Sequence, residues 1–181
     1  MKVAEVMNAT VIACSPQDLL SRAAQIMWDA DCGCVPVVDS EKLVGIVTDR
    51  DLCMAGFTQG RSLAQIPVGA AMAKRLFTCR ASDSLSEVFE LMGEQGLRRL
   101  PVVDGEGRLV GLLSLADAFQ AANREKTKKR LELADRLFET LVRVTKPRTT
   151  RPAPEAMTET VLEPAPKKAK SSKKKSAKAR S

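Results

Sequence analysis

The 181-residue sequence predicts a mixed α/β fold in which a β-α-β-β-α unit occurs twice in tandem. Two observations lead to this fold class. The first two thirds of the chain repeat themselves, and each copy carries the same order of apolar runs and helical stripes. A third observation, a change of composition near Lys146, predicts where folding ends. We expect two pseudo-symmetrically packed repeats at residues 1–59 and 60–120, a long helix over 115–145 and a disordered tail over 146–181.

The repeat is visible in the tetrapeptide Pro-Val-Val-Asp, which occurs at residues 36–39 and again at 101–104. The same offset of 65 residues joins further identical residues before the tetrapeptide. These pairs are Met7 and Met72, Cys14 and Cys79, Asp18 and Asp83, and Leu20 and Leu85. After one inserted residue in the second copy the match resumes, with Asp51 corresponding to Asp117. Agreement of this extent indicates a tandem duplication.

The first half of each copy predicts a strand followed by a helix. A short β-type stretch, residues 10–13 or 76–79, precedes polar residues 15–18 or 81–83, which offer helix N-caps. Apolar residues at helical spacing then follow. They are Leu19, Leu20, Ala23, Ala24, Ile26 and Met27 in the first copy, and Leu85, Val88, Phe89, Leu91 and Met92 in the second.

The second half of each copy predicts a hairpin and another helix. Two short β-branched runs joined by turn residues are typical of a β-hairpin. The runs are residues 35–38 and 43–47 in the first copy, and 100–103 and 109–113 in the second. A helix is predicted to begin after each hairpin, near Asp49 and Leu115.

The last helix is predicted to continue beyond the second copy. After the charged stretch 124–130, apolar residues return at helical spacing. They are Leu131, Ala134, Leu137, Phe138, Leu141 and Val144. Two interpretations stay open: the helix packs on its own repeat, or the charged stretch lifts its distal half off the core to meet a second subunit.

The charge of the chain is concentrated in its tail. Residues 146–181 carry eleven Lys or Arg and three Glu, whereas the rest of the chain has a net charge of −1. Five prolines and few apolar residues predict that the tail is disordered. A cationic tail attracts phosphates without reading bases, so the tail is either a solubilising extension or a tether to nucleic acid or an acidic protein. Its candidate contact residues are Lys167, Lys168, Lys170, Lys173, Lys174, Lys175, Lys178 and Arg180.

Several functional classes are disfavoured by composition. The chain has no histidine, which excludes Ser-His and Cys-His catalytic pairs and His-ligated metals. It also lacks P-loop, GxGxxG and HExxH patterns, so we expect no enzymatic activity and no required cofactor. Cys32 and Cys34 form the only close thiol pair, and a closed zinc site needs two more ligands; we predict buried thiols and no metal. No secretion signal or apolar span of about 20 residues is evident, which predicts a cytoplasmic protein without a membrane partner.

The doubled unit resembles a pair of CBS domains, often called a Bateman module. The residues that carry the resemblance are Pro36–Asp39, Leu43–Asp51, Leu100–Asp104 and Gly111–Asp117. It covers about residues 1–120 and leaves out the tail. It implies a regulatory module that binds AMP, ADP, ATP or another adenosyl compound between the repeats, forms a homodimer and acts on a separate partner. The alternative is an interaction protein tethered to a polyanion by its tail, with the repeats mainly a dimerisation scaffold.

The resemblance also implies candidate ribose-binding residues. In the family a Thr/Ser-x-x-Asp motif after the last strand holds the ribose, and this chain has Thr48 with Asp51 and Ser114 with Asp117. An ionised carboxylate only accepts hydrogen bonds, so it suits two ribose hydroxyls. The alternative is a helix-capping pair, and the two roles are compatible.

The two clefts are expected to differ in charge. The resemblance implies that cations for the phosphates precede the Pro-Val motif of the opposite repeat. The second copy has Arg98 and Arg99 there, whereas the first has Gly33 and Cys34. The cleft of Asp51 should therefore face the arginines and suit a phosphorylated ligand, and the other cleft should be weaker or take a less charged one. The alternative for the two arginines is an ordinary solvated pair.

Overall fold

The computed structural model describes residues 1–146 and the strand at residues 161–164. In chain order the elements are α1 (Leu20–Asp29), β1 (Cys34–Asp39), β2 (Lys42–Thr48), α2 (Asp49–Gln59), β3 (Arg75–Thr78), α3 (Leu85–Gln95), β4 (Arg99–Val103), β5 (Leu109–Ser114), α4 (Leu115–Arg124), α5 (Thr127–Val144) and β6 (Val161–Pro164). The mixed α/β fold with two tandem repeats is thus confirmed.

Both predicted hairpins form, and they share their irregularities. β1 pairs with β2 and β4 with β5, each antiparallel. Each hairpin has a bulge at the same point of its Pro-Val-Val motif, at Val37/Val38 and at Val102/Val103. A bulge bends and twists its strand, so the duplication preserves the shape of the hairpin as well as its sequence.

The predicted first strand forms in only one repeat. Residues 10–13 are not a strand, and only Cys14 makes an isolated parallel bridge, to Val37. Cys79 makes the same bridge to Val102, but there the preceding residues form β3. The difference has a simple cause: β3 has a second neighbour, β6, which pairs with it in parallel.

The polar residues expected to cap the first helix of each repeat close a turn instead. The Asp18 carboxylate accepts a bond from the Ser15 N–H at 2.8 Å, and the Leu20 N–H of α1 donates to the Ile66 carbonyl at 2.9 Å. The second repeat has the equivalent bonds from Arg80 N–H to Asp83 at 2.7 Å and from Leu85 N–H to Met1 at 3.2 Å. A distant backbone segment therefore takes the place of a side-chain cap.

In each repeat this backbone segment comes from outside that repeat. The N-terminal residues of the chain pack on the second core, and the residues between the repeats pack on the first. Val3 is fully buried in the second core, and its N–H donates to the Asp83 carbonyl at 3.0 Å. Ile66 and Val68 are fully buried in the first core, and the Val68 N–H donates to the Asp18 carbonyl at 2.7 Å. The predicted boundary between the repeats therefore does not separate the two cores, and the exchange fixes the repeats against each other.

The long C-terminal helix is interrupted, contrary to the prediction of one helix over 115–145. Glu125 is extended, with ψ of 155°, and separates α4 from α5. An uninterrupted helix would carry the later apolar residues away from the core. The break turns them back, and Leu137 becomes fully buried in the second core. The helix therefore packs on its own repeat.

The surface of α3 is shaped to receive α5. A Cβ placed on Gly93 would lie 2.9 Å from the guanidinium carbon of Arg143, so the Arg143 side chain lies directly against the glycine backbone of α3. The Arg136 guanidinium donates a hydrogen bond to the Ser86 hydroxyl. The outer side of α5 leaves Leu131 60% and Phe138 65% exposed.

Strand β6 lies within the segment predicted to be disordered, and the expectation is wrong for these four residues. The proposed polyanion-binding residues, Lys167, Lys168, Lys170, Lys173, Lys174, Lys175, Lys178 and Arg180, lie outside the described residues. Within the described part of the chain, no helix is both long and apolar enough to cross a membrane.

Candidate functional site

A cavity of about 570 Å³ lies between the two repeats. Both repeats contribute to its walls. The lining residues are Cys34, Ile46, Thr48, Arg50, Asp51, Ala73, Arg75, Leu76, Phe77, Leu97, Arg99 and Pro101. Three of the six predicted ligand-binding residues, Thr48, Asp51 and Arg99, are therefore brought together.

Thr48 and Asp51 are held at the junction of β2 and α2 by a reciprocal cap. The Thr48 hydroxyl accepts from the Asp51 N–H at 3.3 Å. One carboxylate oxygen, Oδ2 of Asp51, accepts both the Thr48 N–H at 3.0 Å and the Thr48 hydroxyl at 2.7 Å. These bonds engage Oδ2 and fix the carboxylate at the cavity wall. The capping interpretation is correct, and it fixes the carboxylate where a ligand would meet it.

Ser114 and Asp117 repeat this geometry at the junction of β5 and α4. Oδ2 of Asp117 accepts the Ser114 N–H at 3.0 Å and the Ser114 hydroxyl at 2.5 Å, and the Asp117 N–H donates back at 3.1 Å. Neither residue lines the 570 Å³ cavity. The second motif is therefore built like the first but belongs to a different part of the surface.

The two adjacent arginines separate in the structure. Arg99 is half-buried and lines the cavity, whereas Arg98 is exposed and is not among the lining residues. The Arg98 carbonyl accepts the first N–H of α4, from Leu115, at 3.0 Å. Arg99 is the first residue of β4, whereas Arg98 lies in the bend that precedes the strand. Arg98 therefore fits the alternative of an ordinary solvated arginine, whereas Arg99 lies where the prediction of a cation in the cleft requires it.

Gly33 and Cys34, which precede the Pro-Val motif of the first repeat, lie next to Arg99. A Cβ placed on Gly33 would be 3.7 Å from Nη2 of Arg99 and 3.0 Å from Oδ2 of Asp49. Cys34, expected at the other cleft, lines this cavity because it pairs with Thr48 in the hairpin register. Burial raises the pKa of the Cys34 thiol to about 11, although the nearby Arg99 guanidinium favours the thiolate. At neutral pH this residue therefore presents a neutral thiol to the cavity.

Two further arginines of the cavity were not predicted from the sequence. Arg50 lies in the first turn of α2, and Arg75 opens β3 with its guanidinium carbon 5.2 Å from the centre of the Phe77 ring. The duplication offered a signal for both. Their counterparts in the other copy are Ala116 and Thr10, so these cations are found in one copy only.

The close thiol pair does not assemble a metal site in the described part of the chain. The Cys32 thiol donates to the Cys34 carbonyl at 3.4 Å. No group of three or more potential ligands gathers anywhere in residues 1–146.

The structure thus consists of two paired repeats that exchange short segments, with a cavity between them that is lined by apolar residues and arginines. The family model of the CBS domain matches this chain twice, at residues 3–57 and 68–124. The chain therefore belongs to the CBS-domain family.

One sequence relative and two solved structures illustrate the similarity. The CBS domain-containing protein YhcV of Bacillus subtilis is 36% identical over 115 residues, which are 64% of this chain and 81% of the relative. The structure of a CBS-domain containing protein from Agrobacterium tumefaciens has a TM-score of 0.60 at 29% identity, and the match covers 67% of this chain and 98% of that one. The structure of CBSX2 in complex with AMP has a TM-score of 0.60 at 28% identity, with coverage of 68% and 96%.

Proposed function

We propose that this chain is a non-catalytic regulatory module that binds an adenine nucleotide between its two repeats and acts on a separate partner. One observation carries the proposal: a hydroxyl–carboxylate pair from the first repeat and an arginine from the second line the same cavity of about 570 Å³. That volume lies within the range of small-molecule sites, about 300–1,000 Å³. The AMP complex of the related CBSX2 supports the choice of ligand.

The chemistry of the walls matches the three parts of a nucleotide. Asp51 is an acceptor suited to ribose hydroxyls, and Arg99 from the opposite repeat is a donor suited to a phosphate. Apolar side chains, including Ile46, Leu76 and Leu97, offer contact to a purine ring. A ligand held in this way contacts both repeats at once.

The proposal includes unequal clefts. Arg50, Arg75 and Arg99 all line the cavity. The positions that correspond to them by the internal repeat are Ala116, Thr10 and Cys34. The cleft of Asp117 would keep Arg99 as a neighbour, since Arg99 pairs with Ser114 in the hairpin register. It would nevertheless have fewer cations, and we propose that it binds phosphorylated ligands more weakly.

The proposed output is a shift in the packing of the repeats. A ligand that contacts both repeats stabilises the arrangement in which both sets of contacts are made. The second repeat continues directly into α4, which begins at Leu115, and then into α5. If the ligand raises the affinity of the module for a partner by some factor, the partner must raise the affinity of the module for the ligand by the same factor.

Titration calorimetry with AMP, ADP and ATP tests the proposed function. The full chain should first be shown to be folded and free of copurified nucleotide. We expect saturable heat with at least one of the three, and near one equivalent of the tightest ligand per chain because the clefts are unequal. Absence of heat with all three nucleotides would contradict the proposal, and two equal sites would contradict the unequal clefts.

A further inference from the structure

Strand β3 joins the two repeats along one wall of the cavity. Two residues before it begins, Ala73 exchanges backbone hydrogen bonds of 2.8 and 3.2 Å with Ile46 of β2. Directly after it ends, the Cys79 N–H donates to the Pro101 carbonyl at 3.1 Å, and the Cys79 carbonyl accepts from the Val103 N–H at 2.9 Å. The first repeat therefore holds one end of β3, and the second repeat holds the other.

Between these two ends, β3 has its ladder partner in β6. The two strands run parallel, with Arg75 opposite Val161 and the following pairs in step. Among the strands that the structure describes, β3 and β6 form a sheet of their own, whereas each hairpin forms a separate sheet. Arg75, Leu76 and Phe77 all line the cavity. A segment beyond the second CBS domain match, which ends at residue 124, therefore pairs with the strand that builds this wall.

The first repeat shows the equivalent stretch of sequence without a ladder partner in the described part of the chain. Residues 10–13 correspond to residues 75–78 at the offset of 65, and they do not form a strand. Ile12 is 52% exposed, whereas its counterpart Phe77 is half-buried. The two stretches are otherwise held alike, since Cys14 and Cys79 make the same bridge to the neighbouring hairpin. The comparison indicates that pairing with β6 gives β3 its order.

We propose that β6 is a displaceable part of the nucleotide site, and that its docking on β3 is coupled to nucleotide binding. The coupling rests on the proposed function, because it needs a nucleotide in this cavity. While β6 is docked, β3 is held extended, and Arg75 and Phe77 stay at the wall that a phosphorylated ligand meets. A nucleotide that contacts this wall favours the docked state. Docked β6 raises the affinity for the nucleotide by the same factor by which the nucleotide stabilises docking.

Docking of β6 is an equilibrium that a ligand can shift. The strand is four residues long and ends in Pro164, which has no backbone N–H to donate. Short elements with few hydrogen bonds open locally at a low cost in free energy. The lysine-rich sequence starts at Lys167, three residues after β6. Bound nucleotide therefore anchors this sequence beside the cavity, and loss of the nucleotide releases it.

A variant of the full chain that disrupts the pairing of β6 tests the coupling. Val161→Pro with Leu162→Pro removes two consecutive N–H groups, one of which is directed at β3 because N–H groups alternate sides along a strand. Ser171→Pro with Ser172→Pro is the matched control, since it adds two prolines outside β6 and also leaves the charge unchanged. A charge-assisted contact such as one from Arg75 corresponds to about tenfold or more in affinity. Calorimetric titration should therefore show AMP binding at least about threefold weaker in the β6 variant, and unchanged binding in the control.

Hydrogen exchange of the wild-type chain measures the same coupling without a substitution. Saturating AMP should slow the exchange of the amides in β3 and β6 by about the factor by which the β6 variant loses affinity. Exchange that AMP leaves unchanged or accelerates at these amides would overturn the proposal. This measurement also decides the matter if circular dichroism shows that the β6 variant does not fold.

The outcomes separate this inference from the proposed function. A wild-type chain that binds none of AMP, ADP and ATP contradicts the proposed function itself. A wild-type chain that binds AMP, beside a β6 variant that binds it equally well, overturns the coupling alone. Equal losses of affinity in the β6 variant and the proline control would overturn it as well, because the effect would not belong to β6.

Discussion

Replacement of Asp51 by asparagine is expected to weaken AMP binding about tenfold or more. The carboxylate is fixed at the cavity wall by the cap with Thr48, and it is the acceptor proposed for the ribose hydroxyls. A hydrogen bond to a charged group contributes about 1.5–3 kcal/mol, which corresponds to a factor of roughly 10 to 100. Asparagine retains one oxygen for the Thr48 N–H, so the start of α2 should persist. Calorimetric titration of wild type and variant measures the effect.

Asp117→Asn is the matched control because Asp117 makes the same capping bonds outside this cavity. It should leave the affinity of the tighter AMP site within about threefold of wild type, since the proposed site does not use it. If Asp117→Asn abolished binding while Asp51→Asn did not, the nucleotide would belong to the other cleft.

Truncation of Leu137 to alanine is expected to lower the free energy of unfolding by about 2–5 kcal/mol. Leu137 is fully buried in the second core although it lies on α5, beyond the second CBS domain match. The lost side chain leaves a cavity beneath α5. Urea unfolding followed by circular dichroism gives the difference.

Leu131→Ala makes the same chemical change on the same helix, but Leu131 is 60% exposed. It should change the unfolding free energy by no more than about 0.5 kcal/mol. Similar effects of the two variants would mean that α5 is not held on the second repeat as the structure shows.

The internal repeat made most of the fold predictable. Identical residues at a fixed offset imply identical local structure, so the hairpins, four of the helices and the Thr48 and Ser114 motifs followed from the sequence. What the sequence could not show was where each piece packs. The exchange that buries Val3 in the second core depends on contacts between distant segments, and local patterns carry no information about them.

The same limit explains the errors at the chain end. Apolar spacing along 115–145 is compatible with one straight helix or with two helices that fold back, and only the burial of Leu137 in the second core decides between them. Strand β6 lies in a polar, proline-containing segment whose pairing comes from the edge of β3. Its own composition does not predict a strand.

The sequence predicted those residues of the candidate site that belong to local motifs and missed those that do not. Thr48, Asp51 and Arg99 belong to motifs near the hairpins and were found. Arg75 lies on β3, where no motif marks it, and reaches the cavity because the two repeats face each other there. Comparison of equivalent positions in the two copies would have singled it out, since Thr10 replaces it.

In the proposed complex, Arg99 of one repeat meets the phosphate of a nucleotide whose ribose is held by Asp51 of the other. The most direct test compares the affinities of AMP and adenosine for wild type, Arg99→Gln and Arg98→Gln. We expect wild type and Arg98→Gln to favour AMP by about tenfold or more, and Arg99→Gln to lose most of that preference while adenosine binding is little changed. An AMP preference that survives Arg99→Gln, or that depends on Arg98 instead, would contradict this account.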